Sequence, residues 1–267
     1  MEYLLCKPPI STHNGGMCMI IVNGIATLEI SAIIMGKKDT IYPTLLWDKD
    51  TAILVDACYP GQLPLIREAM EQTNVALDKL DTVILTHQDL DHIGSLPMIL
   101  KESPRKIEVL ASEVERPYIQ GDKRLLKLTA EAVEQADAML PPDLPEQLRT
   151  AFKAMLANPP QAQVDRTLAD GEELPSCGGI IVIDTPGHTP GHISLYHQSS
   201  KTLIAGDAMV IADGELHGPN PQYSLDMDTA ISSLKKLTQF EIDTVICYHG
   251  GVIQGNVNER IARLAAV

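Results

Sequence analysis

Four side chains able to ligate a metal crowd into the stretch Thr86-His87-Gln88-Asp89-Leu90-Asp91-His92, with the spacing H-x-D-x-D-H. Neutral imidazole and carboxylate together suit borderline and hard divalent ions such as zinc, iron and manganese. The apolar run Val83-Ile84-Leu85 stands directly before them. A strand that ends in a tight loop can turn His87 and Asp89 to one side and Asp91 and His92 to the other. Two adjacent ions suit that geometry better than one. For this stretch alone, an ordinary polar surface loop is the competing account.

Three further apolar runs end in a histidine or an aspartate. Residues 179–184 lead into Thr185-Pro186-Gly187-His188-Thr189-Pro190-Gly191-His192, residues 202–205 into Gly206-Asp207, and residues 244–247 into Tyr248-His249-Gly250-Gly251. Functional groups of α/β sheets gather where strand ends meet loops. Four such ends, each delivering a candidate ligand, make one assembled site the better reading. The chain has no G-x-S-x-G and no evident Cys-His nucleophile, so a direct attack by water is expected.

The elements that must position these groups are legible in outline. Residues 17–22, 25–35, 42–47 and 51–56 are aliphatic or β-branched runs, separated by Gly, Asn, Lys and Asp, as hairpins require. Leu63, Ile66, Ala69 and Met70 have helical spacing, and a short helix is expected over 94–101 with Leu96, Ile99 and Leu100 inward. A strand returns at 107–110, and a second β and β/α series begins near Val164. Between the halves, residues 112–158 differ in character. Leu125, Leu128, Ala132 and Ala136 repeat at helical spacing, as do Leu144, Leu148, Phe152 and Met155, with Pro141-Pro142 between the runs and Pro159-Pro160 after them. This predicts a helical hairpin inserted into a single domain spanning residues 1–267. Its apolar stripe is expected to complete the core, and it is also placed to cover the site and shape a substrate pocket.

Composition sets limits on partners. The chain of 267 residues is 45% hydrophobic and 21% charged, with a formal net charge of -14. Such a balance repels phosphate backbones and anionic membranes, so no nucleic acid or membrane partner is expected. No apolar run approaches the ~20 residues that span a bilayer, and the N-terminal residues lack a secretory pattern. The five cysteines, Cys6, Cys18, Cys58, Cys177 and Cys247, show no C-x-x-C pairing and read as reduced, which fits the cytoplasm. Oligomeric state is left open.

In their order, H-x-D-x-D-H, P-G-H-T-P-G-H, G-D and Y-H-G-G resemble the metallo-β-lactamase superfamily. The resemblance runs from about Gly16 to the final helix. It implies an α/β (α+β) chain folded as a four-layer αββα sandwich, with a dinuclear metal site at one edge of the two sheets. Carried over by position, His87, Asp89 and His188 hold the first metal, Asp91, His92 and His249 hold the second, and Asp207 bridges them. The usual motif is H-x-H-x-D-H, and Asp89 stands where its second His is found. The alternative for Asp89 is that it does not bind, which leaves the first site weak. Zinc is the first choice of metal, with iron or manganese admitted by the extra carboxylate.

Two such ions lower the pKa of a shared water and polarise a carbonyl. The leading expectation is a hydrolase whose bridging hydroxide attacks a small acyl compound, with Asp91 as the catalytic residue that orients it and carries its proton. Lactones and thioesters lead, because the motifs resemble those of quorum-signal lactonases and glyoxalase II. Asp89 also resembles the acidic ligand of the flavodiiron oxygen and nitric oxide reductases. A di-iron redox protein fed by a separate electron carrier is therefore the runner-up, and a metal-binding regulator without turnover the third reading. Tyr223 is a candidate donor to an oxyanion. His192 is expected to support its loop, and His13, His197 and His217 to stand outside the ligand set.

Overall fold

The computed structural model describes residues 17–22, 24–34 and 37–266. His13 and Cys6 lie outside them. The first half of the chain runs β1 (Met17–Val22), β2 (Ile25–Ile34), β3 (Lys37–Ile41), β4 (Thr44–Trp47), β5 (Ala52–Val55), α1 (Leu63–Glu71), β6 (Thr82–Ile84), α2 (Leu90–Ile93), α3 (Leu96–Glu102), β7 (Glu108–Ser112), α4 (Arg116–Ile119), α5 (Ala130–Met139), α6 (Glu146–Ala157) and β8 (Arg166–Leu168). Its strands form one sheet in the order β1-β2-β4-β5-β6-β7-β8, with β3 paired to β2. The second half runs β9 (Glu173–Leu174), β10 (Ile180–Asp184), β11 (Ile193–His197), β12 (Thr202–Gly206), β13 (Val210–Ala212), β14 (Glu215–His217), α7 (Met227–Leu237), β15 (Thr244–Cys247), β16 (Gly251–Gln254) and α8 (Val257–Ala265). A second sheet follows the order β16-β15-β12-β11-β10-β9.

The period-2 alternation of a strand divides its side chains between two layers. In β5, Leu54 packs outward with Ile66 and Met70 of α1 and Ile99 of α3, while Ile53 and Val55 face the other sheet. In β12, Leu203 and Ala205 pack with Leu234 and Leu237 of α7 and Ile261 of α8, while Ile204 faces inward. The middle layer joins Ile53, Ile84 and Leu110 to Val182, Ile204 and Ile246. The result is the expected four-layer αββα sandwich. Fully burying one such aliphatic side chain stabilises by about 1.5–3 kcal/mol.

Three local expectations need correction. Residues 37–41 form a strand despite Lys37, Lys38 and Asp39, because they pair with the far end of β2 in the register Ile30 to Ile41 through Ile34 to Lys37. Leu125 and Leu128 precede the insertion's first helix, which starts at Ala130 where the Thr129 side chain accepts from the Ala132 amide. Leu125 is buried against the outer layer of the first sheet, with Leu128 half-buried beside it. The stripe of α5 and α6 does not complete the core: α5 has no buried residue, α6 has only Leu156, and Leu148 is exposed. Arg149 and Lys153 of α6 both reach the Asp137 carboxylate of α5, so polar pairs help join the two helices.

Candidate metal centre

Every strand that the sequence singled out ends at the same edge of the sandwich. His87 follows β6, and Asp89 ends the short loop that leads into α2, from which Asp91 and His92 project. His188 lies in the loop between β10 and β11, Asp207 follows β12, and His249 lies between β15 and β16. Backbone bonds across the sheets hold these ends in place. Ile193 N donates to Thr86 O at 3.1 Å, Asp56 N to Ile84 O at 2.9 Å, and Tyr248 N to Gly206 O at 3.2 Å.

All seven side chains converge. His87, Asp89 and His188 form one group whose ligand atoms lie within 4.8 Å of one another, and Asp91, His92 and His249 form a second. In the first, Asp89 Oδ2 is 3.2 Å from His87 Nε2 and 3.0 Å from His188 Nε2. In the second, Asp91 Oδ2 is 3.2 Å from His249 Nε2 and 3.6 Å from His92 Nε2. Asp207 stands between them, its Oδ2 3.3 Å from His188 Nε2 and 3.5 Å from His249 Nε2.

The hydrogen bonds behind these groups fix which nitrogen faces the centre. Asp56, a buried residue that the sequence reading passed over, accepts from Thr86 N at 2.8 Å and from Thr86 Oγ1. Its Oδ2 lies 2.9 Å from His92 Nδ1. A carboxylate only accepts, so His92 Nδ1 carries the proton. Thr86 Oγ1 donates to Asp56 and is 3.0 Å from His87 Nδ1, which therefore donates in turn. Both imidazoles thereby turn Nε2 toward the centre, the nitrogen that serves as a metal ligand once it carries no proton. His92 also packs against the Tyr248 ring at 3.8 Å between centroids, and the Tyr248 hydroxyl donates to Asp91 O at 2.6 Å.

His192 behaves as a support. Its Nε2 accepts from Asp207 N at 3.0 Å and its Nδ1 meets Thr185 Oγ1 at 2.8 Å, so both nitrogens are engaged. Gly206 must be glycine here: its φ is +54°, and a Cβ would sit 2.7 Å from His192 Nε2. His197 is buried and bonded to Ser200 Oγ and Cys177 O, and His217 is exposed. Tyr223 is more than half exposed, in a loop whose Leu225 and Asp226 amides donate to Gly187 O.

Electrostatics separate the roles. Burial, then the neighbouring His92, holds His87 well below the usual imidazole range. Burial opposes a charge on His92, yet the Asp56, Asp91 and Asp207 carboxylates outweigh it and push it up to about 10. Burial likewise opposes a charge on Asp207, but His249, His92 and His188 hold its carboxyl well below the usual range. Burial, and next His188, takes His192 down to about 3. The thiols of Cys58, Cys177 and Cys247 are all raised by burial, which disqualifies them as nucleophiles near neutral pH.

Whether this donor set fits a metal is decided by its orphaned atoms. Among the described residues, the buried atoms His87 Nε2, His92 Nε2 and Asp207 Oδ1 have no hydrogen-bond partner, and these three residues also form a ligand group within 4.8 Å. Each orphan costs about 1–3 kcal/mol. A divalent cation satisfies several at once, so the residues fit the group.

Two other buried residues that the sequence reading missed hold the loops together. Glu115 Oε2 accepts from Gln88 N and Gln88 Nε2, and its Oε1 accepts from Gly191 N at 2.8 Å. Gln88 Oε1 then accepts from Leu126 N at 2.7 Å, which draws the insertion's first loop against the motif. From that loop Lys127 reaches Asp89 and His188. No spacing rule foretells contacts between residues so far apart in sequence. Asp56 was the more findable, being one more aspartate at the end of an apolar strand.

Similarity to known proteins agrees with this architecture. The chain is 29% identical over 231 residues to the probable metallo-hydrolase YflN of Bacillus subtilis (strain 168), covering 80% of this chain and 81% of that one. It is 26% identical over 214 residues to a hydroxyacylglutathione hydrolase of Idiomarina loihiensis, covering 79% of this chain and 60% of that one. The metallo-beta-lactamase family protein TTHA1429 of Thermus thermophilus shares the fold, with a TM-score of 0.64 at 23% identity over 92% of this chain and 80% of that one. A sequence profile described as the metallo-beta-lactamase superfamily matches residues 38–249, most of the chain. The chain therefore belongs to the metallo-beta-lactamase superfamily, and it is a metal-dependent hydrolase.

Proposed function

We propose that the chain hydrolyses a small acyl compound, a lactone, thioester or other ester, at a centre of two divalent cations. In this reading His87, Asp89 and His188 hold one cation, Asp91, His92 and His249 hold the other, and Asp207 serves both. The observation that carries it is the convergence of all seven side chains with buried, unpartnered nitrogens facing inward. When bound, such ions polarise a carbonyl and make a water-derived nucleophile available at neutral pH. Zinc is the first choice, and the carboxylate of Asp89 also admits manganese or iron.

The chain's own residues do the rest. Asp56 and Thr86 fix the orientation of His92 and His87. Asp91, with its carboxylate 16% exposed at the centre, takes the proton of the attacking water and passes it to the leaving group. In this reading the hairpin α5–α6, whose preceding loop meets the motif at Gln88, forms a wall of the substrate pocket. The likeness to a hydroxyacylglutathione hydrolase supports an acyl substrate, and the unpaired spacing of the cysteines supports the cytoplasm. The test is a panel of lactones, thioesters and phosphodiesters offered to metal-loaded protein. Hydrolysis of an acyl member, lost with a chelator and restored by metal, is expected. Turnover of phosphodiesters alone would contradict the substrate class.

A further inference from the structure

One cation is already present among the candidate ligands. The Nζ of Lys127 lies 2.5 Å from Asp89 Oδ2 and 2.7 Å from His188 Nε2. The side chain is mostly buried, 22% exposed. Its backbone is anchored on both sides: Leu125 is buried in the outer layer of the first sheet, and Leu126 N is held by the Gln88 side chain of the motif itself. Gln88 is in turn gripped by Glu115, which also holds the loop of His188 through Gly191. The lysine is therefore built into the centre.

A neutral imidazole nitrogen offers a single lone pair, and an ammonium only donates. Beside an ammonium at 2.7 Å, His188 Nε2 accepts and does not donate to Asp89 Oδ2 at 3.0 Å, and the lone pair it uses is the one a metal ion would need. The two uses exclude each other. A divalent ion placed beside a retained ammonium would also meet like charge across a short distance. The other group is different. Its carboxylates face only imidazoles, which are themselves ligands and keep their places when an ion binds, and among the described residues no lysine or arginine forms an ion pair with Asp91 or Asp207.

We infer that Lys127 is a resident cation of the first metal position, which must be displaced before an ion binds there, so that the position of Asp91, His92 and His249 fills first. This rests on reading the cluster as a two-metal centre. It gives the insertion a role at the centre, since the residue that sets metal occupancy comes from its first loop. A position that the ammonium leaves open only a tenth of the time binds about tenfold more weakly.

The experiment titrates metal-free protein with zinc, and separately with manganese, by calorimetry, comparing wild type with Lys127→Met. Wild type should show two steps, the second at least about tenfold weaker, and His188→Ala should remove the weak step while His249→Ala removes the tight one. Lys127→Met should tighten the weak step by about the same factor and leave the tight one unchanged. If that variant fails to fold by circular dichroism, Lys127→Gln carries the same test. Two equal steps in wild type, or a weak step unmoved by the substitution, would overturn the role of Lys127 while leaving the metal centre standing. No uptake by any of the proteins would refute the centre and the exchange together.

Discussion

Asp56 Oδ2 stands 2.9 Å from Nδ1 of His92, and both side chains are sealed from solvent. The aspartate follows β5 in a left-handed backbone conformation, φ 66°, and its carboxylate meets Thr86 and His92 of the motif. Partners of this kind fix the tautomer and aim of an imidazole, and removing one typically weakens metal binding about 10–100-fold. Asp56→Ala is expected to lose affinity by that order at the position of His92, read by metal titration. Unchanged affinity there would show that His92 is not aimed through Asp56.

Metal uptake should release protons. In the metal-free protein His92 is pushed up to about 10, and His249 is raised well above the usual imidazole range by Asp207 and Asp91 against the effect of burial. Both are charged at neutral pH and must deprotonate to bind. The free protein thus carries more protons than the loaded one, so affinity rises with pH until His92 itself titrates. About two protons per ion are expected at that position near pH 7. Calorimetry in buffers of different ionisation enthalpy measures the number, and a value near zero would contradict the assignment.

Much of the site was legible because each candidate ligand follows an apolar strand, and strand ends of a sandwich share an edge. His87, His188, Asp207 and His249 could be read from that pattern one by one. Asp56 obeys the same pattern, as Asp207 does with no histidine beside it, but it passed as an ordinary strand end. Lys127, Gln88 and Glu115 were illegible because their contacts bridge the motif, the insertion and the loop of His188, and local periodicity says nothing of such distances. The insertion misled for a related reason: helical spacing at Leu144, Leu148 and Phe152 reports a helix face, whereas what covers that face depends on tertiary packing.

The exposure of α6 gives a stability prediction. Leu148 is 55% exposed and Leu156 only 4%. Leu148→Ala should change stability by no more than about 0.5 kcal/mol, whereas Leu156→Ala should cost about 2–5 kcal/mol. Chemical denaturation checks both. Equal losses would mean that the stripe is buried after all.

Asp89 should set metal preference. Two divalent ions carry about +4 and the carboxylates of Asp89, Asp91 and Asp207 about -3, whereas histidine at position 89 would raise the sum by about one unit. Asp89→His is expected to shift occupancy toward zinc and to lower the pH at which activity rises. Metal analysis and a pH-rate profile on identically reconstituted proteins decide it. An unchanged preference with an unchanged profile would remove Asp89 from the ligand set.

The most direct measurement counts ions on the intact chain. Native mass spectrometry of the protein under saturating zinc or manganese, beside Asp207→Ala, tests whether the seven side chains form one two-metal centre. About two ions per wild-type chain are expected, and reduced occupancy of both positions in the variant, because Asp207 faces His188 and His249 alike. A single ion in wild type, or two ions retained in Asp207→Ala, would contradict it.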